Sequence, residues 1–271
     1  MNYRHAFHAG NFADCMKHAV LVWLLRALAR KPVPFFVLDT HAGAGRYDLG
    51  ADAERTGEWR SGIARILGDP PPALADYAAL VERLGLYPGS PQLIRALLRA
   101  QDRLAACELH PEDVKNLRRL FARDPQAAIH YRDGYEAVRA LLPPDEKRGL
   151  VLLDPPFEQP DEFDRLLAAL EAGARRFAGA IYLAWYPIKG RAPSRAFHDR
   201  VRAAALPDTI AVELWLREPL DPARLNGCGL LIRNPPWDFE EAAPPLLGAL
   251  LARLGTGDPG QGRRLVRLTA E

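Results

Sequence analysis

The sequence predicts an α/β fold built on a mostly parallel sheet of seven strands. Seven short apolar runs are spread along the 271 residues, and helical patterns lie between most of them. One run, 149–153, is apolar at every position, as a central parallel strand covered on both faces must be.

The elements follow in order. Asn11 suits a helix N-cap, with Asp14 three residues on. Val20, Trp23, Leu24 and Leu28 recur at helical spacing, and Arg30, Lys31 and Pro32 close that helix. The run 35–38 leads into Asp39-Thr40-His41-Ala42-Gly43-Ala44-Gly45, a strand followed by a glycine-rich turn. Further strands are predicted over 104–107, ending at Glu108, and over 127–131, followed by Asp133-Gly134. The remaining four are 149–153, 180–185, 210–216 and 229–232, with helices over 113–122 and 162–177. A β-α-β unit takes about 30 residues. The first two strands are separated by roughly twice that, so a mainly helical segment is expected to be inserted over 50–88. The chain 1–271 otherwise reads as one domain.

Composition excludes more than it selects. Thirty-six basic and 34 acidic side chains give a net charge of +2, which neither requires nor forbids a nucleic-acid partner. Cys15, Cys107 and Cys228 have no paired or metal-type spacing, so they read as reduced thiols of a cytoplasmic protein without a metal site. The apolar stretch 19–25 is too short to span a membrane, and no cleavage site marks a signal peptide. A near-neutral surface without an obvious exposed apolar helix face points to a monomer.

Four constellations can carry chemistry. Asp39 with Gly43 and Gly45 departs from the dinucleotide fingerprint, because one glycine is missing and the acid precedes the loop. A zwitterionic ligand with an amino acid moiety suits it better than a pyrophosphate. Glu108, at a strand end, can accept both hydroxyls of a ribose, although a solvated acid is the plainer reading. Asp133-Gly134 can receive an adenine amino group, but is also a common turn pair.

The most specific is Asp154-Pro155-Pro156-Phe157, directly after the run 149–153. Two prolines fix a rigid loop. An adenine amino nitrogen is a poor nucleophile, because its lone pair is delocalised into the ring. The Asp154 carboxylate and the Pro155 carbonyl can hold its two N–H bonds and favour a tetrahedral nitrogen whose lone pair faces a methyl group. Phe157 can stack on a base that has left its helix. Asn234-Pro235-Pro236-Trp237 imitates the pattern, but an amide cannot accept a proton as a carboxylate can. It reads as structural or as a wall of the site.

Before the first helix, Tyr3, His5, His8, Lys17 and His18 form either a lid over the site or a frayed terminus. Basic groups, among them Lys115, Arg118, Arg119, Lys189, Arg191 and Arg195, could contact phosphates, but such groups are more often solvated helix or loop faces.

Taken together, these motifs resemble the RlmJ family of bacterial 23S ribosomal RNA adenine-N6 methyltransferases. The resemblance spans essentially the whole chain. It rests on Tyr3-Arg4-His5-x-Phe7-His8-Ala9-Gly10-Asn11, Lys17-His18, the stretch Leu38 to Tyr47, Arg55-Thr56-Gly57-Glu58, Tyr87-Pro88-Gly89-Ser90-Pro91 and Glu108-Leu109-His110. Asp133-Gly134, Asp154-Pro155-Pro156, Trp185-Tyr186-Pro187 and Asn234-Pro235-Pro236-Trp237 complete it.

The resemblance implies a Rossmann-like class I methyltransferase fold with a small helical insertion. It also implies S-adenosylmethionine as cofactor, contacted by His18, His41, Ser90, Glu108, Asp133, Gly134 and Asp154; the residue reading adds Asp39 and Gly43. Asp154 becomes the proton acceptor, and Tyr3, with His5 and Lys17 of the same motif, lies at the RNA substrate. The family usually carries Tyr where this chain has Phe157; stacking needs only the ring. The expected activity is direct methyl transfer to N6 of a flipped adenine in 23S ribosomal RNA. The same loop would also serve a DNA adenine-N6 methyltransferase.

Overall fold

The computed structural model describes residues 7–50, 54, 56–204 and 206–270. Tyr3 and His5, expected near the substrate, lie outside the described residues.

The chain starts with α1 (Phe12–Ala29), capped by Asn11, whose side-chain oxygen accepts from the amides of Ala13 and Asp14 at 3.0 Å each. Only Arg26 in this helix is fully exposed. A helix apolar nearly all round belongs inside a protein, and α1 lies across the sheet with its polar first turn at the site. Then come β1 (Phe36–Asp39), the short β2 (Arg46–Tyr47), α2 (Glu58–Ser61), two 3₁₀ turns (Ile63–Arg65 and Pro72–Leu74) and α3 (Ala75–Leu84). After β3 (Tyr87–Pro88), which pairs with β2, follow α4 (Ser90–Leu97), β4 (Arg103–Glu108), α5 (Pro111–Leu120), β5 (Ala127–Tyr131), α6 (Gly134–Ala140) and β6 (Gly149–Leu153). The chain ends with α7 (Glu162–Arg176), β7 (Ala180–Ile188), α8 (Arg191–Ala203), β8 (Thr209–Trp215), β9 (Gly227–Arg233), α9 (Phe239–Leu254) and β10 (Gly262–Thr269).

The main sheet has the order β10-β8-β9-β7-β6-β1-β4-β5. From β5 to β7 the pairs are parallel, and β9 and β10 run against their neighbours. This is the Rossmann-like α/β architecture of class I methyltransferases. Side chains alternate between two cores. Val37, Leu104, Leu150 and Leu152 face α1, α4 and α9, whereas Leu38, Ala105, Val151 and Leu153 face α6, α7 and α8. Among the described residues no helix is long and apolar enough to cross a membrane, and the three cysteines are free and buried.

All seven expected strands are present, and β10 makes an eighth. It is an edge strand pairing only with β8, and Arg263, Arg264 and Arg267 on it are exposed. Half-solvated antiparallel edges lack the continuous apolar run that marks a buried parallel strand.

The chain leaves β1 for β4 and β5 on one side and returns to β6 on the other. The order therefore reverses between β1 and β6, and ligands of open α/β sheets sit at the carboxyl ends of the strands flanking such a point.

Candidate active site

A cavity of about 670 Å³ opens at that edge. Its floor is the turn after β1. Gly43 has φ +61°, and a Cβ there would fall 2.2 Å from the Tyr47 hydroxyl. Its amide donates to Glu108 Oε2 at 2.8 Å, while the His110 amide donates to Oε1 at 2.6 Å. Each Glu108 oxygen keeps a lone pair for another donor. Burial raises the Glu108 carboxyl above its ordinary value, although these amides oppose the shift.

His41 lines the same floor. The Thr40 hydroxyl donates to the Leu152 carbonyl at 2.8 Å, so towards His41 Nδ1, 2.7 Å away, it acts as acceptor. The ring proton therefore sits on Nδ1 and the Nε2 lone pair is free. Burial pulls His41 down to about 4 and keeps the ring neutral. Gly134 makes room for it: a Cβ there would lie 2.3 Å from the Thr40 carbonyl and 2.7 Å from the imidazole. Asp133 caps α6, its Oδ1 accepting from Tyr135 and Glu136 amides, and its Oδ2 lies 3.6 Å from Arg165. These residues line a side pocket of about 200 Å³ that shares His41, Glu108 and Pro156 with the main cavity.

Asp39 reaches neither space. It is fully buried, and its Oδ2 accepts from the Ser90 hydroxyl at 2.7 Å. Burial pushes Asp39 up to about 7, while the Ser90 hydroxyl works the other way. Ser90 itself lines the cavity, so Asp39 acts on the site through it. His18 enters from α1, its Nδ1 3.0 Å from the Tyr87 hydroxyl.

The loop after β6 forms the opposite wall. Lys17 Nζ donates to Asp154 Oδ2 at 2.5 Å and lies 2.9 Å from Asp14 Oδ1. Asp14 Oδ2 in turn accepts from the Gly10 amide at 3.0 Å. Burial alone would lower Lys17, but the two carboxylates outweigh it and hold the ammonium well above the usual lysine value. Lys17, expected at the RNA, thus turns its charge inward. Phe157 has φ +51°, a conformation that costs a bulky residue energy and persists only where the surroundings impose it. Phe163 and Trp185 do so, meeting its ring edge-on at centroid distances of 4.9 and 5.7 Å.

The model of the family described as "Ribosomal RNA large subunit methyltransferase D, RlmJ" matches residues 32–267. The chain belongs to this family. It is 41% identical to the ribosomal RNA large subunit methyltransferase J of Escherichia coli K12 and 38% identical to that of Haemophilus influenzae, in each case over 95% of this chain and 96% of the relative. The crystal structure of a Legionella pneumophila protein, 33% identical, superposes with a TM-score of 0.88, covering 96% of this chain and 98% of that one.

In this RlmJ-family chain the second proline pair is remote from the cavity. β9 runs antiparallel to β7, with Arg233 opposite Tyr182, so Asn234 emerges where the parallel strands begin. Its side chain donates to the Gly179 and Ala180 carbonyls at 3.3 Å, and Trp237 is 89% exposed. Of the two readings of this loop, the structural one fits its position.

The far side of the cavity is only partly legible in the sequence: Trp185-Tyr186-Pro187 and Lys189 stand out there, Arg217 and Arg224 do not. It is lined by Trp185, Pro187 and Lys189 at the end of β7, and by Arg217 and Arg224 of the β8–β9 connection. The available signal was that this connection had to surface at the same edge as the Asp154 loop, since β8 runs parallel to β7. Near the N-terminus, Glu58 of α2 accepts from the Asn11 side chain at 3.0 Å and meets His8 Nδ1 at 3.0 Å, which ties the inserted helices to the site.

Proposed function

We propose that this protein methylates the exocyclic N6 of an adenine in 23S ribosomal RNA, using S-adenosylmethionine, with the base flipped into the cavity. The observation that carries the reading is the Asp154 loop. Its carboxylate is anchored by a buried ammonium, and it faces the Gly43–Glu108 floor across a cavity of a size usual for small ligands.

The residues present suit the cofactor. Glu108, with a free lone pair on each oxygen, is matched to two vicinal hydroxyls. The positive-φ glycine turn admits close backbone approach. His18, His41 and Ser90 line the same floor, and Asp133 and Gly134 line the side pocket that continues it. S-adenosylmethionine supplies an electrophilic methyl group on a sulfonium.

Everything else falls to the chain. Lys17 occupies Asp154 Oδ2, which leaves Oδ1 to accept one N6–H while the Pro155 carbonyl accepts the other. The cofactor would supply the methyl group and keep the electron pair of the broken S–C bond, which would leave N6 cationic. The proton it sheds passes to Asp154. Phe157, fixed by Phe163 and Trp185, offers the ring on which the base stacks. Proton acceptance of this kind contributes about 10²–10⁴-fold, and alignment of the two reactants adds to it.

The test is incubation of the purified protein with S-adenosylmethionine and 23S ribosomal RNA, followed by mass mapping of methylated adenines. One modified adenine is expected, and it should be nearly lost with Asp154→Ala. No methylated adenine, or full activity in the variant, contradicts the reading.

A further inference from the structure

The cavity has two unlike halves, and the reaction as described uses only one. The half bounded by Gly43, Glu108, His41 and Asp154 is acidic and apolar. The other half is cationic, with Lys189, Arg217 and Arg224 lining it.

Local carboxylates leave these charges largely uncompensated. Glu218, next to Arg217 in sequence, is engaged by Arg191 at 2.8 Å, and that guanidinium also lies over the Trp215 ring at 5.3 Å. Among the described residues neither Lys189 nor Arg217 forms an ion pair, and Arg224 meets only Asp221, at 3.9 Å.

The backbone that carries them is fixed. Asn226, fully buried, donates from Nδ2 to the Lys189 carbonyl at 2.8 Å and to the Asp221 carbonyl at 2.7 Å, and its amide donates to Ile188. The Thr256 hydroxyl holds the Leu216 carbonyl at 3.2 Å. The loop is thus sewn to the end of β7, so the backbone that presents these cations to the cavity is fixed. Pre-organised, uncompensated cations at the mouth of a pocket suit a polyanion whose reacting part goes inside.

We propose that Lys189, Arg217 and Arg224 form a clamp for the phosphodiester backbone of the RNA strand on either side of the flipped adenine, with Asn226 as its positioning residue. The inference rests on the RNA-methylating reading and assigns the strand's path in it. The clamp reads no sequence; it holds the strand in register so that one base faces Asp154.

The test compares wild type with the variant Lys189→Ala/Arg217→Ala/Arg224→Ala and with the charge-matched control Arg139→Ala/Arg200→Ala/Arg202→Ala, whose sites line neither pocket. Binding of a fluorescein-labelled short single-stranded RNA containing one adenine is followed by anisotropy from low to physiological salt. S-adenosylmethionine affinity is taken by calorimetry, and turnover is measured on 23S ribosomal RNA.

Each phosphate contact on a single strand contributes about 0.7 to the slope of log affinity against log salt. The clamp variant should therefore lose about 2 from that slope. Its KM for RNA should rise at least about tenfold while kcat and cofactor affinity stay near wild type, and the control should keep slope and KM. An unchanged slope and KM in the clamp variant, or an equal loss in the control, overturns the clamp while leaving methylation standing. If wild type methylates no RNA, the functional reading fails, and the anisotropy slopes still decide whether this face grips a phosphate backbone. Asn226→Ala, which keeps all three cations, should raise KM with the salt slope retained; a wild-type KM would remove Asn226 from the proposal.

Discussion

Two loops of this chain share the same design: an acceptor residue, two prolines and an aromatic ring directly after a strand. Asp154 to Phe157 follows β6 and Asn234 to Trp237 follows β9. They stand at opposite edges of one sheet because β9 runs against its neighbours. The helix α1 spans the distance. Near its first turn Lys17 binds Asp154, and just past its last residue Arg30 binds Asp238 at 2.5 Å. Those contacts are thirteen residues apart, about 20 Å along a helix axis. At the first edge the loop meets a glycine turn, the buried Glu108 carboxylate and a cavity. At the second it ends a strand and starts α9, and its tryptophan projects into solvent. A four-residue motif is therefore ambiguous until strand direction says which edge it occupies.

The widest separation is expected between the two acceptors. Asp154→Ala should lower kcat by about 10²–10⁴-fold. Asn234→Ala should change kcat by no more than about twofold, as substitutions away from function usually do. Single-turnover methylation of 23S ribosomal RNA measures both, and the reverse ranking would exchange the roles of the loops.

The two cations Lys17 of α1 and Arg30 just past its end extend the contrast to stability. Lys17→Met leaves two carboxylates without their buried partner, and breaking a buried pair costs about 3–5 kcal/mol. Arg30→Met removes a half-exposed pair worth about 0–1 kcal/mol. Urea unfolding of both variants checks this. Equal losses would mean that burial at the Asp154 end is not what secures the loop.

How much of this was legible beforehand follows the range of the interactions. The strands β1, β4 and β6 announce themselves by the unbroken apolar runs 35–38, 104–107 and 149–153, as doubly covered parallel strands do. β10 does not, since its arginines point to solvent from an edge. The capping of α1 by Asn11 is local and readable. The Asp154 loop after β6 was readable, but its pairing with Lys17 spans 137 residues and exists only after α1 has crossed the sheet. Asp39 looked like a ligand-facing acid at a strand end, yet register turns it under Ser90. Arg217 and Arg224 carried no motif at all, because their place on the cavity comes from the sheet edge that β8 and β9 share.

The aromatic members give a smaller contrast. Phe157→Ala removes a stacking surface worth roughly 1–3 kcal/mol per base, so kcat/KM for RNA should fall by about 5–150-fold. Trp237→Ala should leave kcat/KM within about twofold, because its ring touches no part of the cavity. Phe157→Tyr adds a hydroxyl to the same ring, and near wild-type turnover is expected if the ring alone matters. A large gain from the added hydroxyl would give that group a role of its own.

The smallest effect separates the loops by backbone rather than side chain. Phe157 and Asn234 both sit at positive φ, +51° and +55°. At Phe157 packing by Phe163 and Trp185 imposes it. At Asn234 the residue type tolerates it, aided by two 3.3 Å hydrogen bonds. Left-handed backbone costs an ordinary residue about 1–2 kcal/mol, and asparagine and glycine escape most of that. Asn234→Ala should therefore destabilise the protein by about 1–2 kcal/mol, whereas Asn234→Gly should recover most of that loss despite removing the same side chain. If the two variants are equally destabilised in urea, the hydrogen bonds and not the backbone hold this loop, and the amide in place of a carboxylate is explained by what it donates.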